Sequence, residues 1–158
     1  MQSLDRIVFA SPSVRVGAFR CPVADPRFRD SGPIEAHLIA FPRTGVWIRH
    51  AGQVPFVADP GVATIYNQGQ EYRRSSLCRD GDRSDWFAVT PEIAVAIAQE
   101  VGGVAPDDPR TAFRVSSARV EPDLYLRQRR LFLRLERGGV EPLEAEEAVL
   151  GLIGAVLG

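Results

Sequence analysis

The sequence predicts a mainly β chain that ends in α-helices, with antiparallel sheet in its first part. Three observations carry this. Between 41 and 90, short runs of alternating apolar residues are broken at close intervals by Pro42, Gly45, Gly52, Asp59-Pro60-Gly61, Asn67-Gln68-Gly69 and Asp80-Gly81-Asp82. Strands bounded so closely by turn residues describe a meandering all-β barrel or sandwich. From Thr90 onward the apolar spacing lengthens to three and four, the period of a helix. Strands and helices are segregated along the chain and do not alternate, which argues against a parallel sheet.

Taken in order, Ile7 to Ala10 and Val14 to Phe19 read as short strands. Pro22-Val23-Ala24-Asp25-Pro26 cannot be a central strand, because proline has no N–H to give to the ladder. Further strands are expected near 35–41, 45–50, 54–57, 62–66, 71–76 and 84–89. A first helix begins at Thr90, with Pro91 suited to the first helical position and Glu92 in the first turn, where the helix dipole favours a carboxylate. Ile93, Ile97 and Val101 share its apolar face, and Gly102-Gly103 stop it. A loop rich in Pro and Asp follows at 106–109. The second helix runs from Pro122 to Gly138-Gly139, with Leu124, Leu131 and Leu135 as its stripe, broadened by Leu126, Phe132 and Leu133. The last helix runs from Pro142 to Leu157, and Leu143, Ala148, Val149, Leu152, Ile153, Val156 and Leu157 give it a wide apolar face. The expected organisation is a β unit with a trailing short helix over 1–103 and a helical segment over 104–158 packed on it.

Composition excludes several classes. The chain has 158 residues, 45% hydrophobic and 25% charged, which fits one soluble globular domain. Its formal net charge is −1, so nothing global draws it to nucleic acid or anionic membrane. All 19 basic residues are arginine. A chain without lysine cannot form a lysine Schiff base and has no Walker-type phosphate loop. Cys21 and Cys78 are too few for a disulfide scaffold. The longest apolar stretch, Ala148 to Leu157, is too short to span a bilayer. Met1 to Arg6 carries no secretory signal, so a cytoplasmic location is expected.

No catalytic set emerges. There is no GxSxG, and Ser75-Ser76 and Ser116-Ser117 have no histidine nearby. Asp80, Asp82 and Asp85 read as hairpin-turn chemistry, and Glu144, Glu146 and Glu147 as the first turn and solvated face of a helix. Cys78, between Arg74 and Arg79, reads as a small strand residue. Arg127, Arg129, Arg130, Arg134 and Arg137 read as the solvated face of an amphipathic helix; no helix-turn-helix pair or RNA-binding aromatic motif accompanies them. For metal binding, His37 and His50 are the only histidines, and with Cys21 and Cys78 they show none of the close spacings of zinc motifs. No metal, no cofactor and no enzymatic activity are expected.

Aromatic residues point to a pocket. Trp47, Phe56, Tyr66, Tyr72, Trp86 and Phe87 all fall on expected strands, and Trp47 and Arg49 share a face opposite Val46, Ile48 and His50. Trp47 and Arg49, joined by Tyr66 or Tyr72, are the candidate ligand contacts: a stacking wall with a charged anchor.

The stretch 41–90 also resembles the N-terminal domain of AraC-type transcription regulators. The residues that carry the likeness are Gly45-Val46-Trp47, Ala58-Asp59-Pro60, Asn67-Gln68-Gly69-Gln70, Tyr72-Arg73-Arg74 and Gly81-Asp82-Arg83, in this order, and the likeness extends over Leu4 to Leu157. It implies a cupin-like antiparallel β-barrel of the double-sheet jelly-roll type that senses a small-molecule effector, followed by an α-helical dimerisation unit. The Asp59-Pro60, Asn67/Gly69 and Gly81-Asp82-Arg83 matches are expected to serve as turns. Homodimerisation would use Val149, Leu152, Ile153 and Val156. DNA would be reached only through a domain not present in this chain, which stops at Gly158 where such a domain would begin. A cupin-type isomerase or dioxygenase, or a plain metabolite-binding cupin, is the alternative; such an enzyme would need a larger metal-ligand set than two histidines supply.

Overall fold

A computed structural model describes residues 2–158. Its order is β1 (Asp5–Ala10), β2 (Val14–Cys21), β3 (His37–Pro42), β4 (Val46–His50), β5 (Phe56–Ala58), β6 (Val62–Tyr66), β7 (Tyr72–Ser76), β8 (Asp82–Val89), α1 (Pro91–Gly102), β9 (Ser117–Arg119), α2 (Pro122–Arg137) and α3 (Pro142–Leu157). Every helix starts on a proline, whose fixed φ is preset for the first helical position. The chain is thus mostly β with three helices following, and all strand pairs are antiparallel.

The strands form two sheets, one of six strands in the order β1-β2-β8-β3-β6-β9 and one of three in the order β5-β4-β7. Alternation along each strand gives the larger sheet two different faces. One face carries Val14, Val16, Ile39, Phe41, Ala63, Ile65, Phe87 and Val89, which form a core with Leu131, Phe132 and Leu135 of α2 and Val149, Leu152 and Ile153 of α3. The other face looks toward the smaller sheet, across which Tyr66 and Tyr72 lie 5.2 Å apart between ring centroids. The molecule is therefore layered: helices, six strands, three strands.

The two antiparallel sheets are those of the expected double-sheet form, and among the described residues no ladder joins them. Two expectations are corrected. Strand β9 was not expected: Ser117-Ala118-Arg119 is short and carries no apolar alternation, yet it pairs with the edge of β6, and Val120 N–H donates to Gly61 at 2.9 Å. Most consequentially, Val149, Leu152, Ile153 and Val156 are not free for a second subunit. They are 0%, 0%, 0% and 7% exposed, and they cover this chain's own sheet. The wide apolar face of the last helix is explained by burial against β-strands and α2 together.

Truncating Leu152 to Ala should therefore act on stability. We expect a loss of about 2–5 kcal/mol, read from urea denaturation, with the association state of the folded fraction unchanged.

Candidate functional site

The inward face of the larger sheet and the smaller sheet enclose a cavity of about 420 Å³, within the range of small-molecule sites. Strand alternation decides its lining. Leu38 and Ala40 come from β3, Thr64 and Tyr66 from β6, Ser84 and Trp86 from β8, Val46 and Ile48 from β4, Tyr72 and Arg74 from β7. Small side chains at Ala40, Ala58, Ser84 and Ala88 leave the space that the aromatic residues surround. Gly17, directly opposite Trp86 in the ladder, admits the indole: a Cβ at that position would collide with its ring. The indole N–H of Trp86 donates to Asp5 Oδ1 at 2.8 Å. Burial raises the Asp5 carboxyl above its ordinary range, against the downward pull of that bond.

Arg74 is the polar centre of the wall. Its side chain is 1% exposed and pairs with Asp82 at 2.8 Å. Nε donates to the Phe28 carbonyl at 2.8 Å, and Nη2 donates to Ser31 Oγ and to the Arg27 carbonyl. The guanidinium also lies over the rings of Phe19, Phe28 and Tyr72 at 4.9, 5.3 and 5.5 Å. A buried guanidinium with its donors used internally fixes geometry: it pins the 27–31 segment to β7 and so shapes one end of the cavity. Burial pushes the Asp82 carboxyl up, and Arg74 draws it back down. Gly81 makes the tight approach possible at φ +72°, where a Cβ would strike the Cys21 carbonyl.

The structure brings Tyr66 and Tyr72 together at the cavity and leaves Trp47 and Arg49 outside it. On β4 the residues Val46, Ile48 and His50 are buried, while Trp47 is 40% exposed and Arg49 is also exposed. The four candidates therefore do not form one wall. The pleat sends the even-numbered positions of β4 inward, so Trp47 and Arg49 do share a face, the outer one. Sequence reasoning missed Phe19, Arg74 and Asp82 as lining residues, and of the pocket aromatics it named, Trp86 also lines the cavity. Asp82 and Asn67 also exceed the turn roles expected of them. Asn67 donates from Nδ2 to the Phe113 carbonyl at 2.8 Å and accepts from Phe113 N–H at 2.9 Å.

The two histidines lie in separate settings. His37 Nδ1 is 3.1 Å from Asn67 Oδ1, and burial lowers its pKa. His50 stacks on Tyr66 with ring centroids 4.9 Å apart, and its Nε2 has no partner among the described residues. Cys21 is buried and Cys78 exposed. Among the described residues no three His, Cys, Asp or Glu side chains converge as metal ligands, and no helix is long and apolar enough to cross a membrane.

Solved structures share this fold. ToxT from Vibrio cholerae superposes with a TM-score of 0.63 at 8% identity, over 92% of this chain and 54% of its own. The AraC-like transcriptional activator CuxR does so with 0.55 at 16% identity, over 91% and 51%. A third structure, wild-type ToxT bound to an unsaturated fatty acid, gives 0.58 at 8% identity over 92% and 55%. The chain shares its fold with these proteins and spans about half of their length. No protein-family model matches the sequence, and no curated protein matches it.

The buried His50 makes stability depend on acid. Desolvation lowers its pKa from 6.5 to about 4, so between those values the unfolded chain binds the proton and the folded chain does not. Stability is then fully present above pH 6.5 and drains as pH falls toward 4, by at most about 3 kcal/mol from this residue. Replacing His50 with Phe, which keeps a stacked ring, should flatten the dependence between pH 6.5 and 5 in denaturant titrations.

Proposed function

We propose that the chain is the effector-sensing module of an AraC-type transcription regulator, binding a small molecule in the cavity between its sheets. The observation that carries this is the cavity itself, about 420 Å³ with walls of mixed apolar and polar character, in a fold shared over nine-tenths of the chain with CuxR and ToxT. That one ToxT structure holds an unsaturated fatty acid supports a small amphipathic effector here as well. We read the site as a binder that does not transform its ligand. Its buried guanidinium is matched to another protein group, Arg74 to Asp82, and the Asp5 carboxylate at its edge accepts from Trp86. No nucleophile and base are paired at the cavity wall among the described residues. In this reading the chain is cytoplasmic, and promoter DNA is contacted by a domain beyond these 158 residues.

A thermal-shift screen of the chain tests the binding. The panel should hold an unsaturated long-chain fatty acid and small metabolites. A true effector at about a hundred times its Kd adds roughly 2.7 kcal/mol. Ala40→Phe, which fills the cavity, should abolish that shift and leave the ligand-free protein folded. Turnover of a hit, or a shift that survives Ala40→Phe, refutes the reading.

Homodimerisation belongs to the same proposal but needs a different surface from the one the sequence pointed to. Leu126 and Leu133 on α2 and Leu143 on α3 remain 50%, 38% and 68% exposed. The two helices are tied near there by Arg134 and Glu144 at 2.6 Å. Sedimentation equilibrium should show a dimer that Leu133→Glu weakens at least tenfold; a strict monomer at high concentration rejects this part.

A further inference from the structure

On the face of the larger sheet away from the cavity, three arginines stand in a row. Arg20 of β2 and Arg83 of β8 are directly opposed in the ladder. Arg43 follows β3, and its backbone N–H donates to the Arg83 carbonyl at 2.6 Å, extending the register beyond the Pro42 and Ser84 pair. Opposed residues of an antiparallel ladder share a face, so all three side chains project on the helix side, and all three are exposed. Strand spacing sets their backbones along a line about 10 Å long. Among the described residues none of the three enters an ion pair. Like charges opposed across a ladder destabilise it.

The row walls a hollow of about 760 Å³, together with Arg6, Arg27 and Arg129. Four carboxylates line this hollow and all are engaged: Asp25 by Arg27 at 2.8 Å, Asp85 by Arg129 at 2.6 Å, Glu136 by Arg6 at 2.6 Å, and Asp5 by the Trp86 indole N–H at 2.8 Å. Unpaired guanidinium forks around one concavity suit a compact anion with many oxygens, because each fork can hold a phosphate through two parallel hydrogen bonds. A long polyanion such as duplex DNA fits less well. The net charge of −1 supplies no long-range attraction, and Asp25 and Glu136 line the same hollow. We propose that this hollow, which adjoins the cavity between the sheets and shares Ser3, Asp5, Phe19 and Ser84 with it, is a second ligand site for a small molecule bearing two or more phosphate groups held by Arg20, Arg43 and Arg83.

The test is isothermal titration of the chain with inorganic tripolyphosphate at constant ionic strength. Saturable binding is expected. Arg83→Gln and Arg43→Gln should each weaken it at least tenfold, with a ligand-free melting temperature equal to or above that of the parent, since each removes a like-charge repulsion. Arg130→Gln, the same charge change on the exposed side of α2, should leave affinity within twofold. The proposal is overturned if tripolyphosphate does not saturate the protein. It is equally overturned if all three variants weaken binding alike, which would mark a net-charge effect, or if a DNA duplex binds and tripolyphosphate does not. Binding unaffected by Ala40→Phe separates this site from the cavity.

Discussion

The six-stranded sheet is covered on both sides by layers of opposite character, and that constraint governs the rest of the molecule. Strand β8 sits between β2 and β3 and is buried at every position except Arg83. Its Asp85, Phe87 and Val89 meet the helical layer, while Asp82, Ser84, Trp86 and Ala88 face the cavity. A slip of one residue would exchange these sets. It would drive Trp86 and Asp82 into the packed helical core and empty Phe87 and Val89 into the cavity. The register is thus fixed from two sides at once, and the cavity's dimensions follow from it.

Each face of β8 also carries one buried carboxylate, and each carboxylate fastens the layer that covers it. Asp82 holds Arg74 of β7, which in turn binds the 27–31 segment. Asp85 accepts from Gln128 Nε2 at 2.7 Å and from Arg129 Nη1 at 2.6 Å, both on α2. Buried ion pairs contribute little net stability after desolvation, and Gln128 Oε1 is left without a partner, which itself costs free energy. Their value lies in orientation. An apolar sheet face alone would let α2 slide or rotate among near-equivalent packings, whereas a single carboxylate beneath Gln128 and Arg129 admits one.

Much of this was legible in the sequence where the signal is local. Helix limits at Pro91, Pro122 and Pro142, and stops at Gly102-Gly103 and Gly138, rest on capping rules that need no tertiary information. Strand positions through 41–90 followed from turn residues in the same way. What failed was the choice of face. The alternation of β4 is plain in Val46, Ile48 and His50 against Trp47 and Arg49, but periodicity alone does not say which side faces inward. The apolar side was the inner one. The last helix misled for a related reason: an apolar face is visible in sequence, while the identity of what covers it is not, and here the chain covers its own. Arg74 was hidden inside a Tyr-Arg-Arg run that looks solvated; only its pairing with Asp82 across the 77–81 turn, eight residues on, shows it to be internal.

The two hollows differ in how their charges are settled, and that difference argues for different ligands. At strand ends β2, β8 and β3, consecutive residues face opposite ways: Phe19 and Arg20, Ser84 and Arg83, Pro42 and Arg43. Phe19, Ser84 and Pro42 line the cavity, where Arg74 has already met Asp82 and shape is the remaining source of selectivity. Arg20, Arg83 and Arg43 line the outer hollow, where none of the three pairs with a carboxylate among the described residues. A site with internally satisfied polar groups discriminates by volume and apolar contact. One with free guanidinium groups discriminates by charge and by oxygen geometry. Because the same strand backbone separates the two, a displacement of β8 at Asp82 to Asp85 would reposition the walls of both.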